Sequence, residues 1–195
     1  MLKFQGLFKK AERLYKEDEA KVMEHYETKD RDAKYYTTMV KKGTAADKIS
    51  ALSMLIQKNP ARSLHYLQQI VAVASKKNRK QAEYAYTALR DLFSKHLLQD
   101  GAQLTAFQHN PTIKGRSEDD IANFELIDAY FGHCIKEIYR DYVTNLLVDL
   151  SKDDLDYYRK LALDILVDLI SSKPEIEEII LGILINKLGD TSKKV

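Results

Sequence analysis

The sequence predicts an all-α fold, an irregular HEAT/armadillo-like helical-repeat solenoid. Three observations lead there. Seven Gly and three Pro in 195 residues are too few for the many turns of a β fold. Apolar residues recur at three- and four-residue spacing through most of the chain. Similar helical segments also return at a fixed interval. The helices around Ala51 and Ala85 lie about 34 residues apart, and Asp153–Lys160 and Asp190–Val195 about 37, the length of a two-helix unit. This predicts three to four irregular helical hairpins.

The stretch Lys41–Gln57 organises the rest. Gly43 breaks the preceding helix, and Thr44 is placed to cap the next one. Asp47 puts a carboxylate among the free N–H groups of the first turn. Ile49, Leu52, Leu55 and Ile56 then share one stripe. Small Ala45, Ala51 and Ser53 lie between them and allow a second helix to come close. That second helix is expected at 60–75, capped by Asn59 with Pro60 at its first position, which makes 44–58 and 60–75 an antiparallel hairpin. Its apolar face is Leu64, Leu67, Ile70, Val71 and Val73.

Before this pair, Leu2, Phe4, Leu7, Phe8, Ala11, Leu14 and Tyr15 predict one helix or two over 2–27, loosely docked. A short helix follows over 28–42, with Thr28 and Asp30 as caps and Tyr35, Tyr36, Met39 and Val40 as its buried side. After the pair, a helix over 79–99 buries Ala82, Ala85, Tyr86, Leu89, Leu92, Phe93, Leu97 and Leu98, and Gly101 stops it. Residues 100–118 are the least regular part. Ser117-Glu118-Asp119-Asp120 is expected to start a helix that runs from Ile121 to Leu150, whole or broken near Gly132. Ser151 is expected to cap a helix over 152–171 that buries Leu155, Tyr158, Leu161, Ala162, Ile165, Leu166 and Leu169. Pro174 opens a last helix over 174–188, apolar on so many sides that it calls for neighbours on both. Gly189–Val195 reads as a turn and the first residues of a further helix, as if the chain were part of a longer array or capped by a partner.

The expected organisation is a single helical-repeat domain over 1–195. It comprises N-terminal helices at 1–42, first repeats at 43–99, the loop at 100–118 and later repeats at 119–195. Apolar residues make up 45% of the chain, which gives one domain a sufficient core. The lone Cys134 permits no intramolecular disulfide and suits a reducing compartment. The Lys-rich amphipathic N-terminus lacks the apolar run of a secretory leader. No run approaches the roughly 18 apolar residues of a membrane span.

Charge is divided along the chain. Residues 1–116 hold 22 Lys/Arg against 12 Asp/Glu, whereas residues 117–190 hold 7 against 17. A basic part followed by an acidic part suggests two partner surfaces. Lys41, Lys42 and Lys48 flank the start of one helix, and Lys76, Lys77, Arg79 and Lys80 follow its expected partner. An antiparallel hairpin gathers these seven residues at one rim, where they suit RNA phosphates. The competing reading is a solvated, solubilising edge.

Nothing here points to catalysis. There is no phosphate-binding glycine loop, no metal-ligand cluster and no nucleophile elbow. His25, His65, His96, His109 and His133 lie in separate segments. His133 and Cys134 are adjacent, so a helix points them in different directions. Asp119-Asp120, Asp153-Asp154 and Glu177-Glu178 read as helix-start charges, and the tyrosines as core and inter-helix packing. The expectation is a non-enzyme with no cofactor, no metal and no small-molecule substrate.

Several stretches carry a resemblance. They are Lys42-Gly43-Thr44, Asp47–Leu52, Leu55-Ile56-Gln57 with Pro60, Lys76–Ala82, Ala88–Phe93, Leu97–Asp100, Ser171–Glu175 and Asn186–Asp190. In this order they resemble the helical-repeat region of the CCAAT-binding factor family, large nucleolar proteins of the nucleolar-complex type. The likeness covers roughly residues 34–195 and is weakest at the N-terminus. It implies a nuclear, nucleolar scaffold in large-subunit ribosome biogenesis. The implied contacts are pre-ribosomal particles, rRNA and a partner resembling the second nucleolar complex protein. The family's C-terminal domain has no counterpart here. The alternatives are a nucleic-acid-binding transcription regulator and a generic helical-repeat adaptor.

Overall fold

A computed structural model describes residues 2–188. Helix packs on helix throughout, with no strand among the described residues, in the irregular HEAT/armadillo-like helical-repeat class. The turn and new helix expected at Gly189–Val195 lie outside these residues. So do the spacing to Asp190 and the Gly189-Asp190 end of the last family-like stretch. The chain forms two compact units, Met1–Ile70 with Leu104–Lys136, and Val71–Gln103 with Glu137–Val195.

The first unit is built on α1 (Leu2–Thr28), α2 (Arg31–Lys42), α3 (Ala45–Lys58) and the start of α4 (Leu64–Ala74). α1 is one helix, and it is firmly docked. Tyr15 is 1% exposed and packs on Tyr130 with ring centroids 5.5 Å apart. Phe8 meets Phe107 edge-on at 5.1 Å. α1 also completes α4. The first N–H groups of a helix have no partner within it. Here the Leu64 N–H donates to the Tyr15 hydroxyl at 3.2 Å, and the His65 N–H to Glu19 Oε1 at 2.9 Å. The Tyr15 hydroxyl in turn donates to the same Glu19 oxygen at 3.3 Å. Asn59 does not cap as expected. Pro60–Arg62 forms a separate 3-10 turn in which the Asn59 side chain makes no capping bond.

α2 is capped by Asp30, whose Oδ1 accepts from the Ala33 N–H at 2.9 Å, while the Thr28 hydroxyl turns back to the Glu24 carbonyl. Its buried residues are Ala33 and Thr37. Tyr35 is exposed, and Tyr36, Met39 and Val40 are half-buried. Small residues line this face because α2 and α3 are the closest-packed helix pair. Lys58 at the end of α3 pairs with Asp30 at the start of α2, so the two run antiparallel. The hairpin is therefore α2–α3, one element earlier than the α3–α4 pair expected. Gly43 permits its turn, since a Cβ there would lie 2.7 Å from the Met39 carbonyl oxygen and 2.8 Å from Asp47 Cβ. α3 buries Ile49, Ala51, Leu52, Leu55 and Ile56. α4 buries Leu64, Tyr66, Leu67, Ile70 and Ala74, leaving Val71 and Val73 half-buried.

The irregular segment that follows Leu104 is pinned by buried Phe107, Ile113 and Ile121. The acidic run Ser117–Asp120 does not start a helix. It forms a 3-10 turn over Glu118–Asp120, and α6 begins later, at Asn123 (Asn123–Asp141). Glu125 supplies the start instead, as its Oε2 accepts from the Ala122 N–H at 2.9 Å. α6 continues through Gly132 without a break.

In the second unit, α5 (Arg79–Leu92) and the turn after it bury the whole face expected, from Ala82 to Leu98. The helical run loosens at Phe93–Leu97 into a π-helical turn. A second π-helical segment, Tyr142–Leu147, follows α6 and leads into α7 (Val148–Leu150). The two segments meet. Phe93 stacks on Tyr142 at 5.7 Å and contacts Tyr139 at 4.9 Å. The Tyr142 hydroxyl donates to the Tyr86 carbonyl at 2.7 Å, and the Tyr86 hydroxyl to the Leu146 carbonyl at 3.3 Å. The second bond uses a carbonyl of the widened turn.

Ser151 ends α7 instead of capping the next helix. It is buried, and its hydroxyl donates to the Val148 carbonyl at 2.7 Å. α8 spans Asp156–Ser172, and Leu155, expected inside, is 59% exposed just before it. α9 spans Glu177–Leu188, so Pro174 lies in the preceding turn, where Ile176 takes the left-handed φ of 49°. Among the described residues of α9 only Ile180 is fully buried. Leu181 and Ile185 are 43% and 62% exposed, so the neighbours expected on both sides are not found among the described residues.

Candidate nucleic-acid interface

Three of the seven candidate RNA-binding residues lie in the first unit. Lys41 and Lys42 form the last turn of α2, where cations complement the helix dipole. Both are exposed, and Lys41 Nζ lies 3.0 Å from Glu27 Oε1. Lys48 is half-buried near the start of α3. That start has the reciprocal cap read from the sequence. The Asp47 N–H donates to Thr44 Oγ1 at 3.3 Å, and the Thr44 N–H to Asp47 Oδ2 at 3.0 Å. Bonds from the Thr44 hydroxyl and then its N–H hold the Asp47 carboxyl below the usual range.

The other four lie in the second unit. Lys76 and Lys77 are exposed in the turn after α4, and Asn78 caps α5 by accepting from the Gln81 N–H at 3.4 Å. Arg79 is already engaged. Its Nε is 2.6 Å from Asp153 Oδ2, and the Asp153 side chain is only 10% exposed. Arg79 therefore pins the start of α5 to the turn before α8. Lys80 is exposed one helical turn before Tyr84, which is 54% exposed on the same face. Tyr157, also exposed, donates its hydroxyl to Glu83 Oε1 at 2.5 Å. Tyr35, Tyr84 and Tyr157 are thus surface residues and not the core packing expected of the tyrosines. The i, i+4 spacing of Lys80 and Tyr84 was the available signal for an aromatic beside the basic turn. Among the described residues Lys42, Lys48, Lys76, Lys77 and Lys80 form no ion pair.

The first unit also has a cleft of about 280 Å³, lined by Phe4, Leu7, Ile113, Gly115, Arg116 and Glu118. Its polar rim is internally paired, with Lys10 on Glu118 at 2.9 Å and Arg116 on Glu125 at 2.8 Å. The His133 ring packs edge-on against Phe8 at 5.4 Å. No group of three or more His, Cys, Asp or Glu among the described residues is placed to hold a metal ion. No described helix is long and apolar enough to cross a membrane.

Comparison with known proteins bears on what such a surface serves. No protein-family model matches the chain. An uncharacterized protein of Schizosaccharomyces pombe is 31% identical over 182 residues, covering 93% of this chain and 21% of that protein. A ribosome biogenesis protein of Chaetomium thermophilum is 31% identical over 176 residues, covering 83% of this chain and 17% of that protein. The chain is similar to ribosome-biogenesis proteins. Human CCAAT/enhancer-binding protein zeta is 30% identical over 162 residues, with 80% of this chain and 15% of that protein covered. The chain thus spans about a fifth or less of the length of these relatives.

Proposed function

We propose that this chain is a helical-repeat portion of a CCAAT-binding-factor, nucleolar-complex type protein. Its role is that of a non-enzymatic scaffold in nucleolar assembly of the large ribosomal subunit. The observation that carries this reading is the 30–31% identity spread over 80–93% of the chain, to proteins that include one named for ribosome biogenesis. On this reading the protein is nuclear and nucleolar. It binds pre-ribosomal particles and rRNA, and it pairs with a partner of the second nucleolar complex protein type. Lys41, Lys42, Lys48, Lys76, Lys77, Arg79 and Lys80 supply the phosphate contacts. The exposed lysines without ion pairs are the freest to do so, and Tyr84 adds a face on which a base can stack. The exposed Leu181 and Ile185 of α9 favour a second reading, a protein adaptor that works without RNA.

The test is sedimentation of the tagged full-length protein from its own cells, with fractions probed for precursor rRNA. Co-migration with large-subunit precursors, lost when Lys76, Lys77 and Lys80 become Glu, supports both scaffold and RNA surface. Arg79 is left intact because its reversal would also break the pairing with Asp153. Co-migration that survives reversal of both lysine groups removes the RNA surface. Absence of co-migration removes the scaffold and leaves the adaptor.

A further inference from the structure

Four hydroxyl residues have a carboxylate three positions later: Thr44, Ser117, Ser151 and Ser172. The fold separates them sharply. The Thr44 hydroxyl is the cap of α3 and donates to Asp47 Oδ2 at 2.7 Å. Ser151 is 1% exposed and bonded to the Val148 carbonyl. The Ser172 hydroxyl donates to the Leu169 carbonyl at 3.2 Å, and its carboxylate, Glu175, is 1% exposed. Ser117 differs on every count. It is exposed, its backbone is extended at φ −72° and ψ 152°, and its hydroxyl has no hydrogen bond among the described residues. Glu118, Asp119 and Asp120 follow it, all exposed.

The acidic run has no helix to start, so its carboxylates need another explanation. It lies on a surface crest between the buried anchors Ile113 and Ile121. Gly115, with φ of 79°, gives the approach to the crest a bend that other residues adopt with strain. The turn over Glu118–Asp120 is closed by two long backbone bonds, Asp120 N–H to the Ser117 carbonyl at 3.2 Å and Ile121 N–H to the Glu118 carbonyl at 3.3 Å. Little is lost when it extends.

We propose that Ser117 is a phosphorylation site for an acid-directed protein serine kinase, one whose basic substrate groove reads the carboxylates that follow. The Ser117 oxygen attacks the γ-phosphorus of ATP and forms a new O–P bond. The bond from that phosphorus to the β–γ bridging oxygen breaks, and its electron pair leaves on ADP. The hydroxyl proton passes to the kinase's carboxylate base. The product carries about −1.5 to −2 added charge on a crest that already holds three carboxylates. This inference does not depend on the scaffold reading.

The full chain is incubated with purified casein kinase 2 and ATP, and the sites are mapped by mass spectrometry. The expected result is phosphate on Ser117 and none on Thr44 or Ser151. Asp120→Asn should slow transfer about tenfold, as expected for loss of one charge-assisted contact. Ser117→Ala should abolish the signal with unchanged circular dichroism and Tm, because its hydroxyl supports nothing in the fold. The proposal is overturned by an unmodified Ser117 in the folded chain, including the case where a free 111–124 peptide is modified. It is equally overturned by an Asp120→Asn rate equal to that of the unaltered chain.

Discussion

Tyr15→Phe isolates the cross-helix cap that α1 provides to α4. The ring stays, so packing on Tyr130 and Phe131 is retained and only the hydroxyl is lost. That hydroxyl accepts from the Leu64 N–H at 3.2 Å and donates to Glu19 Oε1 at 3.3 Å. Tyr15, Leu64 and Glu19 are 1%, 4% and 8% exposed, so water does not readily replace it. A buried donor left without a partner costs about 1–3 kcal/mol, and both bonds are long, so about 2 kcal/mol is expected. For a chain of this size that lowers Tm by about 4–8 °C. The assay is urea unfolding combined with amide exchange, in which the Leu64 amide should lose protection before those of α5. Glu19→Gln keeps an acceptor and forfeits only the anion at the start of α4, for a loss of about 0.3–1 kcal/mol. The double variant should fall short of the sum, because the two side chains share one network. If Tyr15→Phe unfolds with the unaltered chain and Leu64 exchange is unchanged, α1 is not the cap of α4.

Two further substitutions test the geometry. Gly43→Ala should destabilise by about 1–3 kcal/mol, because the new methyl meets backbone and Cβ atoms that cannot turn aside. Gly132→Ala, inside α6 with nothing within 4 Å of the added Cβ, should instead stabilise by about 0.5–1 kcal/mol. Urea midpoints that move together would refute the contrast. The Asp30 carboxyl is held below its usual range, first by the Ala33 N–H and then by Lys58. A folded pKa below the unfolded one gives stabilisation that is complete above about pH 4 and lost as pH falls through the lowered value. Asp30→Asn should therefore flatten the acid side of the urea-midpoint profile. An unchanged acid slope would contradict this.

Inner helix faces were the most legible part of the sequence. Every residue expected inside from Ala82 to Leu98 is buried, because 3.6-residue periodicity reports directly on which side meets neighbours. Helix ends were less legible. Ser117 and Ser151 carry capping chemistry, yet the same residue types serve turns, and only the surrounding packing decides between the two uses. In α2 a close neighbour selects Ala33 and Thr37 for the inside, so larger Tyr35 turns outward against its hydropathy. The Tyr15–Glu19 cap was out of reach because its partners lie 46 and 49 residues away in sequence. The basic residues were legible as exposed cations. Arg79 was not legible as a pin, since nothing in its spacing points to Asp153.

The paired π-helical segments make the second unit sensitive to chain length. A widened turn holds one residue more than a regular turn would. Deleting a single residue from Tyr142–Leu147 would restore ordinary pairing and rotate everything after it by about 100°. Leu150, now in the core, would swing toward solvent, and the Tyr86 hydroxyl would lose the carbonyl it reaches. This part of the protein should therefore tolerate exchanged side chains more readily than lost positions, and a change in residue number here would mark a differently built core.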